Sequence, residues 1–142
     1  MSTAAADKTG GRAVTEVAVG VVVRADGSFL LGQRPVGKPY EGYWEFPGGK
    51  LEAGESVEAA LARELKEELD IDMRACEPWR TLEHDYPHAY VRLYFCKVTA
   101  WDGEPRGMEG QAVTWQTLPV NVAPLLPAAQ PVLEWMLDER AA

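Results

Sequence analysis

The residues most suited to chemistry lie in one short run, RELKEELDI, at positions 63–71. Glu64, Glu67 and Glu68 are spaced three and four apart, so a helix brings them to one side. Like charges at that spacing repel. Two arrangements relieve the repulsion. The carboxylates snorkel or pair with a nearby arginine, or they form a cluster of hard oxygen ligands for a divalent cation.

The helix itself is written locally. Ser56 is a suitable N-cap, and the helix runs to about Leu69. On a wheel at about 100° per residue with Val57 at the origin, Leu61, Leu65 and Leu69 fall at about 40°, 80° and 120°. Glu68 falls at about 20° and Glu64 at about 340°, on the shoulder of that apolar stripe. A merely solvated acidic face would lie opposite the leucines.

Other elements must carry this helix. Residues 14–23, VTEVAVGVVV, are β-branched and nearly continuous, as in a well-covered strand. ADG at 25–27 is a turn, and SFLLGQR returns as a second strand. PVGKPYEGY at 35–43 is a Gly/Pro loop. WEF is a short apolar segment, and PGGK reads as a further turn. Two longer strands are expected around CEPWRTLEHDY and YVRLYFCKVTAW, then a strand at VTWQTL. A closing helix at VLEWMLDER has Pro131 near its first turn. This order implies a single domain over 14–142, α+β or layered α/β/α, behind a flexible tail at 1–13.

The spacing across 49–71 identifies the chain further. Gly49, five residues, Glu55, seven residues, Arg63-Glu64-Leu65, one residue, Glu67-Glu68, one residue, Asp70-Ile71 resembles the Nudix box. The pattern departs at one place, where Asp70 stands for a glycine. Asp tolerates the left-handed conformation such a helix end adopts, at some strain. WEFPGGKLEAGE and GEPRGMEGQAVTW resemble the bacterial MutT branch, and the likeness runs from about Val17 to the final helix.

The resemblance implies the Nudix fold, a mixed β-sheet sandwiched between helices. It implies Mg²⁺, with Mn²⁺ as substitute, held by Glu64, Glu67, Glu68, the Gly48 carbonyl and Glu109. Glu64 or Glu109 is implied as the general base, with Arg63 supporting the catalytic group. Arg63 and Glu55 would brace the loop against the helix, and Gly49 would be structural. Arg34, Glu45, Phe46, Pro47, Gly48, Lys50 and Ala129 are implied in substrate binding. The implied reaction converts a nucleoside triphosphate to monophosphate and pyrophosphate, with 8-oxo-dGTP as the leading substrate. Ala129 occupies the place of an asparagine that reads the oxidised base, and its side chain has no donor or acceptor. Loss of such a contact removes about 1–3 kcal/mol of base discrimination, and Gln130 lies one residue on. A pyrophosphatase for CTP or a modified pyrimidine is the alternative. A non-catalytic nucleotide-binding module is another, disfavoured because the box carboxylates are retained.

Composition bounds the rest. The chain has 142 residues, 46% hydrophobic, with net charge −8. That charge disfavours a nucleic acid polymer as partner but not a nucleotide met through divalent cations. The two cysteines and two histidines read as packed or loop residues rather than a metal centre. No apolar run has membrane-spanning length, so a cytoplasmic location with no membrane partner is the expectation, with a monomer as the default.

Overall fold

The structure is a computed structural model that describes residues 11–141. Its elements are β1 (Val14–Val22), β2 (Phe29–Gln33), β3 (Trp44–Glu45), β4 (Gly48–Lys50), α1 (Val57–Leu69), β5 (Asp72–Asp85), β6 (Tyr90–Asp102), β7 (Val113–Gln116) and α2 (Ala129–Ala141). Of the expected tail, residues 1–10 lie outside the described residues. Arg12 is tied to the body, donating to the carbonyls of Tyr86 and Pro87 at 2.9 and 3.3 Å.

Two sheets form rather than one. A four-stranded sheet has the order β4-β1-β6-β5, and a three-stranded sheet has the order β3-β2-β7. The larger sheet is mixed: β1 runs parallel to β6 and antiparallel to β4, and β5 pairs antiparallel with β6. Strand alternation explains how it is sandwiched. Ala18 and Val22 of β1 face Leu61, Leu65 and Leu69 of α1, together with Cys96 and Val98 of β6. Val19 and Val21 face the other way, with Val91, Leu93 and Phe95 of β6 and Val132 and Leu133 of α2. One strand therefore serves both helical layers, which is why its sequence is apolar without alternation. Among the described residues no helix is long and apolar enough to cross a membrane.

The site-bearing helix is closed at both ends. The Ser56 side chain accepts from the Ala59 amide at 3.1 Å, satisfying one of the free N–H groups of the first turn. At the other end Asp70 is left-handed, at φ 58° and ψ 39°, and its amide donates to the Lys66 carbonyl. Its carboxylate is held by Lys66 at 3.1 Å and Arg106 at 2.7 Å.

PGGK is not a turn. Gly48–Lys50 form β4, with Gly48 opposite Val19 and Gly49 opposite Ala18. A Cβ on Gly48 would stand 2.0 Å from the Ala18 carbonyl oxygen. Gly48 permits this close antiparallel pairing, which the same letters conceal when read as turn formers.

Asp70 yields a stability test. Asp70→Ala keeps the strained backbone conformation and loses the carboxylate contacts, so its Tm should fall by a few degrees. Asp70→Gly removes the strain and only exposed ion pairs, so its Tm should stay close to that of the parent. Calorimetry on the three proteins checks the order.

Candidate functional site

A cleft of about 600 Å³ opens between the larger sheet, the N-terminal end of β4, and the segments around 86–89, 109–111 and 126–129. Glu64, Glu68, Glu109, Gly48, Gly49, Lys50, Arg34, Glu45, Phe46, Pro47 and Ala129 all line it. The cleft has two chemically different ends. One carries carboxylates from α1, β3 and the 109–111 loop. The other is lined by buried Val19, Phe46, Tyr86, Leu93, Phe95 and Ala129.

Arg63 organises the acidic end from behind. Its guanidinium donates to Glu55 at 2.8 and 2.9 Å, to the Lys50 carbonyl at 3.0 Å and to Glu64 at 3.1 Å. The loop before the helix, strand β4 and the helix face thereby share one cation. The Arg63 hydrogen bond, followed by the Glu52 amide, brings the Glu55 carboxyl down to about 2. Glu55 and Lys50 border a smaller hollow of about 320 Å³ beside the cleft.

Glu67 is the exception among the helix carboxylates. It is exposed, stands outside the cleft lining, and lies 3.5 Å from Arg63 Nη1. On the wheel it sits at about 280°, further from the leucine stripe than Glu64 or Glu68. The structure thus brings Glu64 and Glu68 together with Glu109, a residue distant in sequence, and leaves Glu67 outside the cleft lining.

Glu68 is in the least comfortable position. Burial first, then the charges of Glu64, Glu45 and Glu109, push its carboxyl up to about 9, while the Gly48 amide opposes them. Glu64 is also raised by burial, against the pull of Arg63. Glu45 is raised by burial as well, offset by Arg34, whose Nη1 lies 3.1 and 3.3 Å from its two oxygens. Arg34 Nε also donates to the Pro39 carbonyl at 2.6 Å, so this guanidinium is fixed at the cleft wall by protein partners.

The donor set is one of hard oxygens crowded against one another, which suits a hard divalent cation. Among the described residues no three acidic, cysteine or histidine side chains already converge in ligand geometry. Glu64 is turned toward Arg63, so binding requires it to share that contact.

Three further residues shape the cleft. Tyr86 is 4% exposed, and its phenol oxygen accepts from the Ala128 amide at 3.0 Å. Gln111 lines the cleft and donates to the Glu68 carbonyl at 3.1 Å, tying the 109–111 loop to α1. His88 lines the mouth and stacks on Tyr86 with centroids 5.3 Å apart. The Tyr86 partner is 42 residues away, and nothing in the local letters signals that contact.

Two tests follow from the geometry. A Cβ at Gly49 would fall 2.2–2.5 Å from the Glu64 carboxyl group, whereas at Gly48 it meets backbone. Gly49→Ala should therefore displace a side chain and lower turnover at near-parental Tm, while Gly48→Ala should cost about 3 kcal/mol or more of stability by denaturant unfolding. The second test uses pH. The folded protein holds the Glu68 proton up to about 9, while an unconstrained glutamate releases it near 4.5. Stability from the neutral form is complete below pH 4.5 and is lost as pH rises toward 9. With chelator present, Tm should fall more steeply from pH 5 to 9 in the parent than in Glu68→Gln.

Comparison with known proteins agrees with this architecture. Residues 14–136 match the NUDIX domain. The chain is 35% identical over 119 residues to an 8-oxo-dGTP diphosphatase of Escherichia coli K12, covering 83% of this chain and 92% of that protein. It is 36% identical over 125 residues to a CTP pyrophosphohydrolase of the same organism, covering 87% and 93%. Among solved structures, a MutT NUDIX hydrolase from Burkholderia pseudomallei superposes with a TM-score of 0.79 at 30% identity, covering 86% of this chain and 97% of that one. The E. coli ORF135 protein superposes with a TM-score of 0.77 at 35% identity, covering 93% and 94%.

Proposed function

The chain belongs to the NUDIX family, and on that premise we propose that it hydrolyses nucleoside triphosphates to monophosphate and pyrophosphate, with 8-oxo-dGTP as the leading substrate. The observation that carries the reading is the two-ended cleft. Its acidic end suits a polyphosphate met through divalent cations, and its apolar end suits a flat base.

Hydrolases of this family work with a divalent metal, and Mg²⁺, or Mn²⁺ in its place, is the ion proposed here. Glu64, Glu68 and Glu109, with the Gly48 carbonyl and, outside the cleft lining, Glu67, are the groups that would hold it. When bound, such an ion supplies charge neutralisation for the phosphates and acidifies water.

The chain's own residues supply the rest. Glu64 is the favoured general base, since burial raises its proton affinity while Arg63 keeps its carboxylate oriented. Glu109, exposed at the cleft edge, is the second candidate. Lys50 is exposed at the wall and available to phosphate oxygens. Arg34, held in place by Glu45 and the Pro39 carbonyl, is proposed to present its guanidinium to the phosphates. Phe46 and Pro47, buried at the floor, are proposed to pack against the nucleoside.

A second reading rests on Ala129. It lines the cleft and is 4% exposed, so the position offers the base no side-chain hydrogen bond. That favours a pyrimidine triphosphate such as CTP if the oxidised purine gains nothing.

One assay tests both. Pyrophosphate release is measured on 8-oxo-dGTP, dGTP, CTP and dCTP with Mg²⁺ and with Mn²⁺. The parent should turn over, and Glu64→Gln and Glu68→Gln should fold but lose about 10²–10⁴-fold in kcat. A kcat/KM advantage of 8-oxo-dGTP over dGTP supports the leading substrate, and an advantage of CTP replaces it. A folded parent with no turnover on any of them would overturn the reading in favour of a binding module.

A further inference from the structure

At the apolar end of the cleft Tyr86 is a buried polar side chain held by defined partners. Tyr86 lines the cleft with Ala129 and packs in one buried cluster with Val19, Phe46, Leu93 and Phe95, while His88, also on the lining, stacks on its ring and the charges of Glu45 and Arg34 reach its phenol. Its phenol oxygen accepts the Ala128 N–H at 3.0 Å. The O–H proton cannot lie along that line, because the amide hydrogen already occupies it. We propose that the Tyr86 hydroxyl is the base-reading donor of this cleft, directing its proton to a ring carbonyl oxygen of the bound base.

The surroundings support a fixed donor. The Tyr86 ring is flanked by His84, His88 and Tyr40, with centroids 4.2, 5.3 and 5.4 Å away. Its amide donates to the Ala89 carbonyl at 3.0 Å, the Ala89 amide returns a bond at 3.2 Å, and Arg12 donates to its own carbonyl at 2.9 Å. Ring and backbone are therefore placed before any ligand arrives, which lowers the ordering cost of reading it. Burial pushes the phenol up to about 12, so it remains a donor throughout the neutral range. The amide it holds is that of Ala128, next to the residue whose side chain reads nothing. The hydroxyl therefore stands at the end of the cleft where Ala129 leaves the base without a side-chain contact.

This inference rests on the proposed nucleotide reading but concerns base selection alone, so the test avoids hydrolysis. Equilibrium binding of 8-oxo-dGMP, dGMP, dCMP and 2-aminopurine deoxyribonucleoside monophosphate is measured by calorimetry. The last of these lacks a ring carbonyl. The parent should bind its preferred carbonyl base more tightly than 2-aminopurine. Tyr86→Phe should weaken that base by about tenfold to a hundredfold and leave 2-aminopurine unchanged. A merely structural tyrosine would weaken all four equally. That result, an unchanged ratio, or a parent that binds all four alike would each overturn the proposal. Because Tyr86→Phe strands the Ala128 amide, a second protein carries 3-fluorotyrosine at position 86. Its hydroxyl is retained and is a stronger donor, so the carbonyl preference should increase; no change would also overturn the proposal. Absence of pyrophosphate release, by contrast, would strike only the catalytic reading.

Discussion

Glu68 bears a load that its own chain does not relieve. Burial, and the charges of Glu64, Glu45 and Glu109, all disfavour its ionised form. A fold optimised for stability alone would place an apolar or paired residue there. Instead α1 turns this carboxylate toward the cleft from the shoulder of its leucine stripe, and β4 lies close beneath, where Gly49 leaves room for the Glu64 carboxyl group. The surrounding architecture makes sense as support for that arrangement. Arg63 binds Glu55, Glu64 and the Lys50 carbonyl, so it neutralises the back of the cluster and leaves the cleft side acidic.

The same strand that anchors the helix also builds the opposite end of the cleft. Ala18 and Val22 pack against α1, and Val19 and Val21 pack toward α2 and Phe46. Acidic and apolar residues carried by these layers line one cleft. Tyr86 joins the β5–β6 turn to the segment before α2 through the Ala128 amide. Gln111 joins the 109–111 loop to α1 through the Glu68 carbonyl. Loops distant in sequence thus become walls of one site.

The parts legible in the sequence are those with local causes. Ser56, the leucine spacing and the odd placement of Glu64 and Glu68 announced α1 and its shoulder carboxylates, because caps and helical periodicity act within a few residues. Strands β1 and β6 stood out as long apolar runs. Strand β4 did not, because Gly48 and Gly49 read as a turn until β1 lies beside them. The division into two sheets was likewise hidden, since it depends on which strands meet. Glu67 looked equivalent to Glu64 and Glu68 by spacing, and only the three-dimensional boundary of the cleft separates it. Tyr86 and the Arg34–Glu45 pair were invisible as contacts for the same reason: their partners are set by tertiary packing. The box pattern located the acidic cluster, whereas the contacts that shape the base end came from the fold.

The central claim is that Glu68 is held in an electrostatically unfavourable setting that a divalent cation relieves. Carbon-13 NMR titration of its side-chain carboxyl, with assignment by Glu68→Gln, measures this directly. The account predicts a midpoint near 9 in chelator and a fall well below neutrality when Mg²⁺ is added. A midpoint near the ordinary 4.5 in chelator, unmoved by Mg²⁺, would contradict it.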